Sequence, residues 1–160
     1  MNFPILSSLI LLPLIGSFFI FFNKSSEKNR TIKYVSIFIT FSNFLLSLYL
    51  WYIFDKSISD FQFIEDREWI SGLINYKVGI DGISILFVVL TAFITPLCVI
   101  SVISTIKYRL KDFLIAIFIM ESLMIGVFCS LDLVVFYLFF EGGLIPMFLI
   151  IGIWGGERRV

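Results

Sequence analysis

The chain has 160 residues, of which 59% are hydrophobic and 15% charged, with 12 basic and 12 acidic side chains and no histidine. Soluble domains carry about 45–50% apolar residues, so the composition excludes an ordinary soluble domain, and a formal charge of zero offers no bulk attraction to nucleic acid. Without histidine the usual zinc, haem and iron–sulfur ligand sets are missing, and Cys98 and Cys129, far apart and without a CxxC spacing, read as small apolar fillers, so neither a metal nor a cofactor site is expected in this chain.

The predicted fold class is all-α, a polytopic transmembrane helical bundle. Apolar runs long enough to cross about 30 Å of hydrocarbon are expected at Phe3–Phe22, Tyr34–Phe54, Ile83–Ile106, Phe113–Cys129 and Leu133–Trp154. No basic residue precedes the first run and a Lys/Arg cluster follows it, so it is expected to stay as an anchor rather than be removed as a signal peptide. Lys24, Lys28, Arg30 and Lys33 follow the first span, Lys107, Arg109 and Lys111 the third, and Arg158 and Arg159 the fifth; these nine of the 12 basic residues fall on one side. Positive flanks are retained in the cytoplasm or its equivalent, which places the N-terminus outside.

The second span carries Ser36, Thr40, Asn43 and Ser47 at steps of four, three and four, one helix face that reads as a packing seam between helices. The connection from Asp55 to Gly82 is a long outer loop whose stretch Phe61 to Ile70, mixing aromatic and charged residues, fits a short amphipathic helix or a hairpin over the bundle. Asp81 and Asp132 precede apolar runs and are expected to cap them. The third span places Thr91 and Thr95 before Pro96, whose missing amide hydrogen predicts a kink. Tyr34, Tyr49, Trp51, Tyr52, Tyr108 and Trp154 lie near span ends, where amphipathic rings sit at headgroup level.

Chemistry concentrates in the last two spans. Glu141 stands alone as a charged residue in Leu133–Trp154, and an ionisable group at that depth is a functional candidate by default. Glu121 and Glu141 are each ten residues from Leu131 in the tight turn, which puts both about 15 Å from it at 1.5 Å per residue. Spacing does not fix whether they face one another. Tyr137, one turn before Glu141, is placed to hydrogen-bond it; Gly142 and Gly143 remove bulk, and Pro146 leaves the carbonyl of Gly142 without its helical donor. A carboxyl so placed can gain and lose a proton, because burial disfavours its charged form while a nearby cation or water file favours it. The five expected spans contain no Lys or Arg to act as that cation.

The string Asp132 to Arg159, DLVVFYLFFEGGLIPMFLIIGIWGGERR, resembles the fifth-helix region of the antiporter-like proton-translocating subunits of respiratory NADH:quinone oxidoreductase, complex I. Gly79 to Ser84, GIDGIS, is similar to the third helix of the same subunits, in particular the branch called subunit M in bacteria and subunit 4 in mitochondria. The resemblance is strong over Val78 to Arg159, and rests mainly on hydropathy before that; the GG after Glu141 departs from the residues common there. It implies a subunit of about fourteen helices with inverted five-helix repeats, of which residues 1–112 form an N-terminal three-helix segment with the outer loop at 55–82, and 113–160 the first two helices of the proton-translocating repeat. The chain is then expected to be the N-terminal third of such a subunit. Glu141 matches the family glutamate thought to pair with a lysine on the seventh helix, with Glu121 a second proton-path candidate.

The resemblance further implies no redox chemistry in this chain itself, with NADH, FMN, iron–sulfur clusters and quinone bound by other subunits. Its implied partners are the other membrane subunits of the complex, especially adjacent antiporter-like subunits, in a bacterial inner membrane or, if organellar, the mitochondrial inner membrane. A subunit of a multi-subunit sodium/proton antiporter and a non-transporting membrane scaffold are the alternatives.

Overall fold

The computed structural model describes residues 4–22, 30–58, 60–70, 74–106 and 108–155. The basic residues Lys24, Lys28, Lys107, Arg158 and Arg159, and Phe3 at the start of the first expected span, lie outside them. In order, the elements are α1 (Ile5–Phe22), α2 (Arg30–Ile53), β1 (Gln62–Ile70), β2 (Ile74–Ile80), α3 (Ser84–Thr105), α4 (Leu110–Cys129) and α5 (Leu133–Trp154). All five helices are long and apolar enough to cross a membrane. In hydrocarbon no water satisfies backbone N–H and C=O groups, so an apolar run of this length must satisfy them within itself, and the helix is the form that does so.

The expected spans match these helices closely, with two extensions. α2 begins at Arg30 and α4 at Leu110, so Arg30, Lys33 and Lys111 fall inside helices, each within the first four residues. At that end Arg109 adopts a left-handed conformation (φ 50°) ahead of α4 and pairs with Asp112 at 2.7 Å. Trp154 of α5 donates from Nε1 to the carbonyl of Tyr108 at 2.9 Å, and its ring meets Phe113 edge-on. We call this end of the bundle the basic side and the other the hairpin side.

The connection between α2 and α3 is a hairpin, which decides the alternative left open by Phe61 to Ile70. β1 and β2 pair antiparallel, with Glu65 opposite Val78 and Arg67 opposite Tyr76, and the register shifts between Gln62 and Glu65. Phe63, inside that shift, is left-handed (φ 54°). A bulge of this kind bends a strand and re-aims its side chains. Here the side chain that benefits is Glu65: its Oε1 accepts from the backbone N–H of Leu6 (3.0 Å) and Ser7 (3.3 Å), and its Oε2 from the Ser7 hydroxyl. The first N–H groups of a helix have no partner inside it, so Glu65 caps α1 from a distant strand. The hairpin also grips the turn between α4 and α5, where the N–H of Leu131 donates to the carbonyl of Lys77 at 2.9 Å and Val78 bridges to Ser130.

Both aspartates cap as expected. Asp132 accepts from Val134 N–H (2.8 Å) and Val135 N–H (3.2 Å), and Asp81 from Ser84 N–H (2.7 Å) and Ile83 N–H (3.2 Å). The bond from Ser84 is the main influence holding the Asp81 carboxyl below its ordinary acid range. A carboxyl depressed in this way stabilises the fold above about pH 4, the unperturbed Asp range, and loses that contribution as pH falls through the depressed folded value. Asp81→Ala should therefore destabilise the start of α3 by about 0.5–2 kcal/mol at neutral pH, and parent and variant should converge in strong acid when unfolding is followed against pH.

α4 is the centre of the bundle: α1, α3 and α5 all pack on it, and α2 packs on α1 and α3. Two apolar clusters fill the interior. One, on the hairpin side, joins Leu6, Leu9, Leu50, Val78, Ile80, Val88 and Ile125; the other, on the basic side, joins Ile20, Ile32, Val99, Leu114 and Phe118. The buried polar side chains Asn43, Thr95, Glu121 and Ser122 come from the middle stretches of α2, α3 and α4.

Candidate functional site

The polar stripe of α2 is wholly buried, as a packing seam requires. Three of its members spend their hydroxyls on their own helix: Ser36 donates to the Ile32 carbonyl, Thr40 to that of Ser36 and Ser47 to that of Phe44. Such back-bonding lets small polar residues sit against a neighbouring helix at little desolvation cost. Asn43 is different. Its Nδ2 donates across to Glu121 Oε1 at 2.8 Å. Asn43 is 0% exposed and Glu121 2%. Next along α4, the Ser122 hydroxyl donates to the carbonyl of Ile10 in α1 at 2.6 Å. Adjacent residues on α4 thus tie it to two different helices.

Glu121 also lines a groove of about 610 Å³ between α3 and α4 that is walled mainly by apolar side chains, Ile94, Leu97, Ile117, Met120 and Met124 among them, with Thr91, Thr95 and Ser101 of α3 supplying hydroxyls. Thr91, Thr95, Cys98 and Ser101 recur at steps of four, three and three and so share one face of α3, on which the two threonines and Ser101 carry hydroxyls. Thr91 and Thr95 donate to the carbonyls of Phe87 and Thr91, and their oxygens keep lone pairs to accept from a visitor.

Glu141 has another setting. α5 meets α4 through Val135, Phe139, Gly142 and Pro146: Val135 and Pro146 are buried, Phe139 lies over Gly126, and Gly142 faces Leu123. Each residue turns a helix by about 100°, which aims Glu141 well away from that stripe, and it is exposed on the outer face of the bundle. The neighbouring Tyr137, also exposed, stands one helical turn before Glu141 on the same face. Gly143 faces open space. The tightest glycine contact between α4 and α5 is not at the GG pair but at Gly126, where an added Cβ would stand 2.7 Å from the ring of Phe139.

The two acids therefore share a depth and not a site. Glu121 and Glu141 each lie eight residues, about 12 Å, from the hairpin-side end of their helices at Cys129 and Leu133. Glu121 points into the bundle toward α2, while Glu141 points out of it. Tyr137 sits with Glu141; Gly142 and Pro146 face α4 instead. As one of four residues on a packing face, Asn43 did not stand out in the sequence as a partner of Glu121. The available signal was its type, since an amide stands alone among hydroxyls near the middle of a membrane helix.

A polytopic helical membrane bundle with carboxyl groups on two sides of its central helix pair is the class this fold and geometry define. The chain is 48% identical over 155 residues to NADH-ubiquinone oxidoreductase chain 4 of Marchantia polymorpha, covering 96% of this chain and 31% of that protein. It is 55% identical over 132 residues to NADH-quinone oxidoreductase subunit M of Rhodobacter capsulatus (82% of this chain, 25% of that protein). With subunit M of Rickettsia prowazekii the identity is 42% over 163 residues, covering 100% of this chain and 33% of that protein. The chain belongs to this subunit M/chain 4 family and spans about a third of the length of the curated relatives it matches. No family model matches it. Among solved structures, a chain of the membrane-bound sulfane sulfur reductase, an archaeal respiratory membrane complex, superposes with a TM-score of 0.71 over 89% of this chain and 22% of its own length. At 18% identity that likeness shows the fold alone.

Proposed function

We propose that this chain serves in the membrane arm of an NADH-quinone oxidoreductase and lends Glu141 to a proton path coupled to electron transfer elsewhere in the complex. The observation that carries the reading is the aim of Glu141: a carboxyl at mid-membrane depth, one turn from Tyr137, on a helix face that the described residues leave uncovered. α5 buries only 11% of its span against the rest of this bundle, the least of the five helices. A cation facing Glu141 from outside the described residues would let the carboxyl release its proton, and withdrawal of that cation would let it reload. The lysine implied by the family resemblance fits that role. On this reading α4 and α5 open the proton-translocating repeat, and α1 to α3 with the hairpin form the segment that precedes it.

The same reading leaves NADH oxidation and quinone reduction, with their flavin and clusters, to other subunits, and sets adjacent antiporter-like subunits as neighbours. Arg30, Lys33, Arg109 and Lys111 at the basic side orient the chain with that end in the cytoplasm or matrix and the hairpin outside. The names of the relatives favour this complex over a sodium/proton antiporter or a scaffold. An affinity tag on the full-length protein, pulled from its own membranes, should bring NADH-dependent quinone reductase activity with it. Recovery of a helical assembly without that activity would refute the assignment.

A further inference from the structure

Glu121 and Asn43 are joined by one hydrogen bond and left with two loose ends. Asn43 Nδ2 donates to Glu121 Oε1, and among the described residues neither Asn43 Oδ1 nor Glu121 Oε2 has a partner, although both atoms are buried. Each is an acceptor when the carboxyl is ionised. A buried acceptor without a donor costs about 1–3 kcal/mol, and this pairing leaves two of them on the same two side chains. One proton removes both faults. Bound to Oε2, it turns that oxygen into a donor directed at Oδ1, and a carboxylic acid beside a carboxamide closes a ring of two hydrogen bonds with every polar atom used.

We propose that Glu121 and Asn43 form a proton-holding site in which the acid is neutral and doubly bonded to the amide, and which loads and empties through the groove between α3 and α4. In loading, a hydronium ion in the groove gives its proton to the Oε2 carboxylate and leaves as water; unloading is the reverse. Glu121 is the buried acid that lines this groove, and in its otherwise mostly apolar wall the hydroxyls of Thr91, Thr95 and Ser101 lead along one face of α3 toward the basic side. Cys98 is the other titratable side chain in the groove wall, while α1 and α2 present no charged group to Glu121 and Glu141 of α5 points the other way. Asn43 is a positioning residue: it touches the acid and sets where the proton rests. The part this pair plays in turnover rests on the proton-path reading above, but its ability to hold a proton does not.

The test is infrared difference spectroscopy of the complete complex in native membrane vesicles, stepped across pH, reading the C=O stretch of protonated carboxyl groups. The parent should show a titrating band that is lost in Glu121→Gln, persists in Glu141→Gln, and shifts position in Asn43→Leu, which removes the ring partner. Gln is a fair replacement because its own amide donates to Oδ1 and accepts from Nδ2, keeping the ring closed without a titrating proton. A Glu121→Gln spectrum identical to the parent at every pH would overturn the proposal, as would a Glu121 band that ignores Asn43→Leu. If proton pumping in the same vesicles survives Glu141→Gln while the Glu121 band behaves as stated, the Glu141 reading fails and this one stands.

Discussion

Glu141→Gln is expected to lower proton pumping and the quinone reduction coupled to it by a factor on the order of 10² or more, the scale of a positioned proton-transfer group, while the complex still assembles. The two halves of that expectation come from the same geometry. Gln has the size of Glu, and Glu141 takes no part in the α4–α5 contact, which runs through Val135, Phe139, Gly142 and Pro146. Packing should therefore be spared. Gln has no proton to exchange in this range, so a path that needs a carboxyl at this depth is cut. Pumping can be followed as acidification or alkalinisation of vesicles per NADH oxidised; values equal to the parent would remove Glu141 from the path.

Asn43→Leu is expected to cost about 1–3 kcal/mol of stability, the penalty for stripping the partner from a buried polar group, whereas Glu121→Gln should be close to neutral. Leu keeps the branched outline of Asn with bulkier methyl ends and suits the surrounding lipid-like interior, so no cavity is left behind. What is lost is the donor to Oε1 of a carboxyl that is 2% exposed. The contrast between the two variants separates polarity from shape. It can be read from the temperature at which the purified complex dissociates: Asn43→Leu should fall clearly below the parent, with Glu121→Gln near it. Equal values for all three would mean that the α2–α4 bond contributes nothing measurable.

Much of the fold was legible from the sequence because hydrocarbon leaves so few choices. Apolar runs set the five helices, to the residue for Leu133–Trp154, and charged or capping residues set their ends. Where the boundary reading missed, at Arg30 and Leu110, the helix simply runs on past the membrane edge into its own basic flank, where hydropathy carries no signal. Residues 61 to 70 left helix and hairpin open because the pairing that decides between them lies in β2 and in the turn at Ser130 and Leu131. The cap of α1 by Glu65 was out of reach for the same reason, since donor and acceptor are 59 residues apart.

The site was half legible. Counting residues from a tight turn gave depth, and Glu121 and Glu141 do stand level along their helices. Rotation is set by which residues pack, and that depends on neighbours: Gly126 takes the ring of Phe139, Gly142 takes Leu123, and these contacts turn the two acids away from each other. Nothing in the spacing of Glu141, Gly142 and Gly143 reveals that Gly126, on the preceding helix, is the glycine that makes room for an α5 side chain, the ring of Phe139.

The central claim is that Glu121 and Glu141 belong to separate sites on opposite sides of the α4–α5 contact. Cross-linking with a short bifunctional thiol reagent tests it most directly, in the full-length protein within its membrane and in a background lacking Cys98 and Cys129. Leu123→Cys with Gly142→Cys should be bridged, because a Cβ at position 142 would lie 3.4 Å from the Leu123 side chain, and Glu121→Cys with Glu141→Cys should not. Bridging of the 121–141 pair, with none between 123 and 142, would contradict the account.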